Sequence, residues 1–304
     1  MNGRQLDLSS LSDAQRAELD HLTHRHGTSW ITVGLWIAVM GIYLASDILA
    51  VLRIIPLWAG MLINCTVGYF IFSVVHDGVH YAICRNKRLN DAIAQSAVLL
   101  GAPYLSLPLF RWGHLKHHRH TNDPVHDPDF ALHGVWWTLP FRWAFIDLIY
   151  LIHLLQHGDT LARQSLRASI PWIGATLALL AALIVSGYGL EVLMLWFIPS
   201  RAIFITLGFS FFWLPHVPHD TRQADNFTRA TTVRIGHEWL MAPLLQWQHV
   251  HLIHHLYPTT PFYNNAKVWR LIEPVLRQRD LAIQQGFAIQ PQLHPAAESA
   301  PPTL

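Results

Sequence analysis

The chain has little charge and almost no cysteine. Only 13% of its 304 residues are charged, half of the ~25% typical of soluble domains, which excludes an ordinary water-facing surface over much of the molecule. A net charge of +2 leaves no footprint for a nucleic-acid partner. Two cysteines, Cys65 and Cys84, exclude a disulfide framework, a thiolate zinc site and an iron–sulfur cluster held by four thiolates. No internal repeat or linker divides the chain. One domain over 29–289 is therefore expected, between a leader (1–28) and a disordered tail (290–304) whose Pro291, Pro295, Pro301 and Pro302 stand among Ala and Ser. In the leader, Ser12 to Leu19 has the form of a capped start to a short amphipathic helix, although a solvated leader is the preferred reading. The first apolar run lacks a small-residue cleavage site and reads as a retained membrane helix, not a signal peptide.

The 52% of hydrophobic residues is concentrated. Four stretches approach the ~20 residues that cross a bilayer: Trp30 to Ala45, Ile54 to Val75, Ile170 to Ser186 and Leu190 to Trp213. Two poorer ones read as re-entrant or interfacial, because Ala92 to Phe110 is broken by Gly101, Pro103 and Pro108, and Val135 to Leu155 carries Arg142, Asp147 and His153. The expectation is an all-α integral membrane protein, four transmembrane helices with a cytoplasmic helical cap. Of the 21 Lys and Arg, all except Arg53 and Arg201 then fall on one side. The positive-inside rule makes that side cytoplasmic, with both termini there and the bacterial inner membrane as the expected location. Arg201, inside the fourth stretch, has no role legible in the sequence.

What the chain has in excess is histidine, 21 in all. Three clusters stand out: His76 and His80; His114, His117 and His118; His251, His254 and His255. Spacings of three and four put imidazoles on one helical face, and neutral imidazoles suit iron, copper, zinc or nickel better than magnesium or calcium. Any one cluster also fits a basic or interfacial surface; three on one membrane side point to a metal centre. They share that side only if Ala92 to Phe110 does not cross. His216, where the fourth stretch returns, is a further candidate, with His219, His249 and His120 as lesser ones. His126, His133, His153, His157 and His237 are assigned to caps or interface. Asp77, Asp123, Asp127 and Asp129 are candidates to accept the second ring N–H of ligating histidines, or else solvated turn residues. The zinc-protease pattern needs glutamate after its first histidine; Asp77 stands there, so hydrolysis lacks its usual base.

At these residues the chain resembles the membrane fatty acid desaturase and hydroxylase superfamily, whose signature is three histidine boxes, HxxxH, HxxHH and HxxHH. The resemblance runs from about Phe72 to Pro274. Its most specific phrases are Arg88-Leu89-Asn90, His117 to Pro124, Asp127 to Asp129, Leu214 to His216 and His254 to Pro258; they look most like the cyanobacterial type of β-carotene ring hydroxylase. The resemblance implies a mushroom-shaped four-helix membrane domain, a His-rich cytoplasmic di-iron site, O2 as co-substrate and electrons from an external, ferredoxin-like carrier. The implied reaction desaturates or hydroxylates an unactivated C–H position of a lipid, either a fatty acyl chain or a carotenoid ring. The competing classes are a zinc-dependent membrane hydrolase and a metal transporter. Transport is disfavoured because the histidines gather at one surface, not along a path through mid-membrane.

Overall fold

The structure is a computed structural model and describes residues 6–24 and 27–295. Its apolar helices turn large hydrophobic side chains outward. α1 (Asp13–Thr23) precedes α2 (Trp30–Val51) and α3 (Leu57–Phe70). On the last two, Trp30, Ile37, Ile48, Trp58 and Leu62 remain exposed, as on a lipid-facing surface. The first crossing runs past the expected end at Ala45 to Val51. Asp47, which closes the apolar run in the sequence, accepts a hydrogen bond from Asn64 Nδ2 at 2.7 Å and so stays inside the helix pair. α4 (Phe72–Val79) continues the line of α3.

α5 (Lys87–Gly101) and α6 (Leu107–His120) cover the stretch expected to be re-entrant. Asn90 Nδ2, near the start of α5, donates to the Gly78 carbonyl at 2.8 Å, and His114 on α6 meets His80. The hairpin therefore returns to the end of α4 from which it left. α7 (Leu139–Ala144) and α8 (Ile146–His157) meet at 84°, the other interrupted stretch. Arg201 finds its partner here, in Asp147 of α8 at 3.0 Å.

Among the described residues, three stretches are long and apolar enough to cross a membrane: Trp30–Val51, Leu57–Val79 and Thr160–His216. The last spans 57 residues, about 85 Å if straight, against a hydrocarbon core of about 30 Å. It comprises α9 (Thr160–Leu183), the single turn α10 (Gly189–Glu191), α11 (Ile198–Leu207) and π-helical turns. Between α9 and α10, Gly187 sits at φ 93°, a conformation open to glycine. Trp172 and Thr176 on α9 both donate to the Pro103 carbonyl (2.8 and 3.2 Å), while Ser200 on α11 donates to the Gly101 carbonyl. Two arms that reach the same short turn have folded back on each other at Gly187.

The polar layer departs from the all-α expectation. β1 (Thr232–Ile235) pairs in parallel with β2 (Leu281–Gln285), which pairs antiparallel with β3 (Gln292–His294). Strands this short give no readable period, and a parallel pair joined through α12 (Glu238–Leu244), α13 (His251–Leu256) and α14 (Asn265–Leu276) carries no hairpin signature. β3 lies within the tail expected to be disordered from Gln290; residues 296–304 fall outside the described residues. The leader also departs from expectation. Ser12 and Gln15 form a capping box, and Leu11, Leu19 and Leu22 bury themselves with Val268, Ile272 and Leu276 of α14, because its leucines recur on one helical face.

α4 can approach α5 only because residue 78 is glycine: a Cβ there would lie 2.2 Å from Ala94 Cβ. Gly78→Val is therefore expected to cost about 1–3 kcal/mol by overpacking, measured as a lowered thermal midpoint, and to disturb His76 and His80 on the same helix. An unchanged midpoint would show that α4 and α5 separate freely.

Candidate metal centre

Four segments deliver the histidines. α4 and its C-cap carry His76 and His80, and α6 carries His114, His117 and His118. The turn Leu214–His216 ends on His216, and α13 carries His251, His254 and His255. Their nitrogens gather in two groups, each within 4.8 Å of one another: His76, His80, His114, His118 and His254 in one, His117, His216, His251 and His255 in the other. The groups adjoin where His118 and His255 stack at 4.2 Å. All nine side chains are buried.

The donor set fits metal ions better than a hydrogen-bonded core. His114 Nε2 lies 2.9 Å from His80 Nε2 and 3.1 Å from His118 Nε2, and the latter lies 2.8 Å from His254 Nε2. A ring nitrogen of a neutral imidazole has either one proton or one lone pair, so one Nε2 cannot satisfy two others at once. His76 Nε2 and His216 Nε2 are buried with no hydrogen-bond partner, which is costly unless something else binds them. Burial, reinforced by the neighbouring imidazoles, holds His251, His254 and His255 well below the ordinary histidine value. They are therefore neutral, with lone pairs free for a cation.

The second ring nitrogens are anchored. His117 Nδ1 donates to Asp127 Oδ1 at 3.0 Å and lies 3.2 Å from Asp129 Oδ2. Burial alone would push His117 down; the two carboxylates outweigh it and raise it, so a cation binding at its other nitrogen would displace a proton. His251 Nδ1 donates to Gln248 Oε1 at 2.8 Å. Asp127 in turn accepts from the Asn122 and Asp129 backbone N–H groups, and Tyr150 donates to Asp129. Such partners fix which nitrogen faces the centre. Asp127→Asn is accordingly expected to weaken metal affinity about 10–100-fold, read by competition with a chelator, with the circular dichroism unchanged. Equal affinity in the variant would refute the orienting role.

Other candidates lie elsewhere. Asp77 accepts from Thr32 Oγ1 at 2.7 Å and from the Phe262 N–H at 3.1 Å, tying α2 to the cap; its place on α4 turns it away from the imidazoles. Asp123 caps its own turn and pairs with His126. His219 stacks on His133 at 4.8 Å and His120 packs against His126 at 5.1 Å. Neither they nor His249 join the two groups. Gln248 and Tyr150 were missed by sequence reasoning. Gln248, three residues before His251 on the same turn, was findable by spacing, whereas Tyr150 comes from a distant helix and carries no local signal. Arg111 was also missed; it donates to the Val79 and Gly78 carbonyls at 3.0 and 2.9 Å and holds the end of α4.

An apolar cavity of about 140 Å³ lies next to the five-histidine group, from which aromatic side chains in its lining separate it. Phe72, Phe110 and Phe212 line its inner end, with Phe72 5.8 Å from His76 and Phe110 6.0 Å from His114, ring centre to ring centre.

A helical membrane protein with an all-imidazole constellation at the head of an apolar cavity is the class that fold and site define. The fatty acid desaturase family matches residues 52–287, most of the chain, and the protein belongs to that family. It is also 26% identical over 228 residues to a zeaxanthin 4-ketolase of Chlamydomonas reinhardtii. That match covers 73% of this chain and 43% of the ketolase, so the chain spans less than half of that relative's length.

Proposed function

We propose that the protein is an O2-dependent di-iron oxidoreductase that desaturates or hydroxylates an unactivated C–H position of a membrane lipid. The observation that carries this reading is the two buried histidine groups at the head of an apolar cavity; the desaturase family and the ketolase relative support it. His76, His80, His114, His118 and His254 would hold one iron, and His117, His216, His251 and His255 the other. Iron, when bound there, would activate O2, the oxidant, for attack on C–H. The chain's own residues do the rest: Asp127, Asp129 and Gln248 orient imidazoles, and Phe72, Phe110 and Phe212 exclude water and direct a hydrocarbon towards them. Two free cysteines hold no electron-transfer cluster, so electrons come from an external, ferredoxin-like carrier. In this reading the Gly187 fold-back gives four crossings, the cap is cytoplasmic and the membrane is the bacterial inner one. The ketolase relative favours a carotenoid ring over an acyl chain as substrate.

The test is expression in a host that makes β-carotene and ordinary phospholipids, followed by mass spectrometry of carotenoids and fatty acids with and without air. An oxygen-dependent hydroxycarotenoid or a new acyl double bond or hydroxyl supports the reading and identifies the substrate. No change in either, together with an iron-free purified protein, would overturn it in favour of a zinc hydrolase or transporter.

A further inference from the structure

Among the described residues, the lining of the apolar cavity includes no histidine. What stands between is a closed circuit of four rings, all of them in that lining: Phe72, Phe110, Tyr150 and Phe212. Taken in that order around the circuit, neighbouring ring centres are 6.0, 6.4, 6.3 and 6.0 Å apart, within the roughly 4.5–7 Å at which aromatic pairs touch. A hydrocarbon in the cavity therefore reaches the imidazoles only if a ring moves. Three of the four are held from outside the circuit. Phe72 and Phe110 each stand one helical turn before a histidine and pack against it, 5.8 Å from His76 and 6.0 Å from His114. Phe72 is also 4.6 Å from Phe211. Tyr150 donates its hydroxyl to Asp129. Phe212 has no such support. Among the described residues its ring meets those of Phe72 and Tyr150 alone, and it rides on the π-helical turn Gly208–Trp213, a geometry that recurs at functional sites.

We propose that the four rings are a gate with Phe212 as its moving leaf, and that the passage opened when Phe212 turns aside sets the width of the group that can be oxidised. This rests on the lipid reading above. Phe212 is then a specificity-determining residue. It leaves binding in the cavity alone and governs which bound molecules advance to the histidines. Closed, the gate screens the imidazoles from hydrocarbon that merely occupies the cavity, and from water.

The test has two arms, both on the purified full chain. In the first, an n-alkyl diazirine is photolysed with the protein and the labelled residues are mapped by mass spectrometry. The wild type is expected to take label at the cavity wall, on Ala97 or Leu207, and none on α13, which contributes nothing to that wall. Phe212→Leu, which trades the ring for a smaller apolar side chain, should gain label at His254 of α13. Label at His254 in the wild type to the same extent, or none there in the variant, would overturn the gate. The second arm compares turnover of β-carotene and of methyl stearate. Phe212→Trp, which enlarges the leaf, should lower kcat about 100-fold for whichever is the substrate and leave KM unchanged, because binding precedes the gate. A rise in KM at constant kcat would make Phe212 plain cavity wall and end the proposal. If the wild type turned over neither lipid, the lipid reading itself would fall, while the labelling would still decide whether Phe212 closes the cavity.

Discussion

His254→Ala is expected to abolish activity while the protein still inserts into the membrane. His254 belongs to the five-histidine group and touches most of it: its Nε2 is 2.8 Å from that of His118, and its ring centre is 4.1 Å from that of His76. It also sits on α13 in the cap, away from the apolar helices that govern insertion. Removing it opens one metal position, and a metal's several kcal/mol of charge stabilisation translates into a rate loss of about a thousandfold or more. If the proposed di-iron reading holds, iron content should fall from two per chain to one, measured by elemental analysis beside a gel-filtration profile identical to wild type. His117→Ala should behave alike from the other group. His120→Ala, outside both, should change nothing beyond the ~0.5 kcal/mol usual for surface positions. Retained activity in the His254 variant would strike that residue from the ligand set.

Ala97→Phe is expected to lower kcat/KM about 100-fold with the iron content intact. Ala97 is fully buried yet lines the cavity beside Val98, Ile203 and Leu207, so a phenyl ring there projects into the space that a substrate would occupy. Misplacing a bound substrate by about 1 Å costs on the order of 100-fold. Placed in solid packing the same ring would cost about 1–3 kcal/mol of stability; in a cavity it should cost less, and the thermal midpoint separates the two cases. Unchanged kinetics would mean that the substrate reaches the histidines by another route.

How much was legible in the sequence follows from how local each feature is. Helical spacing was enough to single out the histidines, since residues three and four apart must share a face whatever surrounds them. It was not enough for the carboxylates. Asp77 and Asp127 look alike beside their histidines, but Asp77 sits on the far side of α4 and binds Thr32, whereas the turn after α6 swings Asp127 back onto His117. His216 and His219 posed the same ambiguity, which the turn at Leu214–His216 resolves by directing one to His251 and the other to His133. The parallel pairing of β1 with β2 likewise depends on segments too short and too far apart to announce each other.

By itself the sequence determined that the chain builds long apolar helices and carries a surplus of neutral nitrogen ligands at their ends, because hydropathy and helical period are properties of contiguous residues. Only the tertiary structure decided that nine imidazoles divide into five and four, that Arg201 meets Asp147 on a cavity wall, and which carboxylates orient which rings. Those are contacts between segments that meet only when the helices pack, and the free energy that selects them belongs to no single stretch of chain.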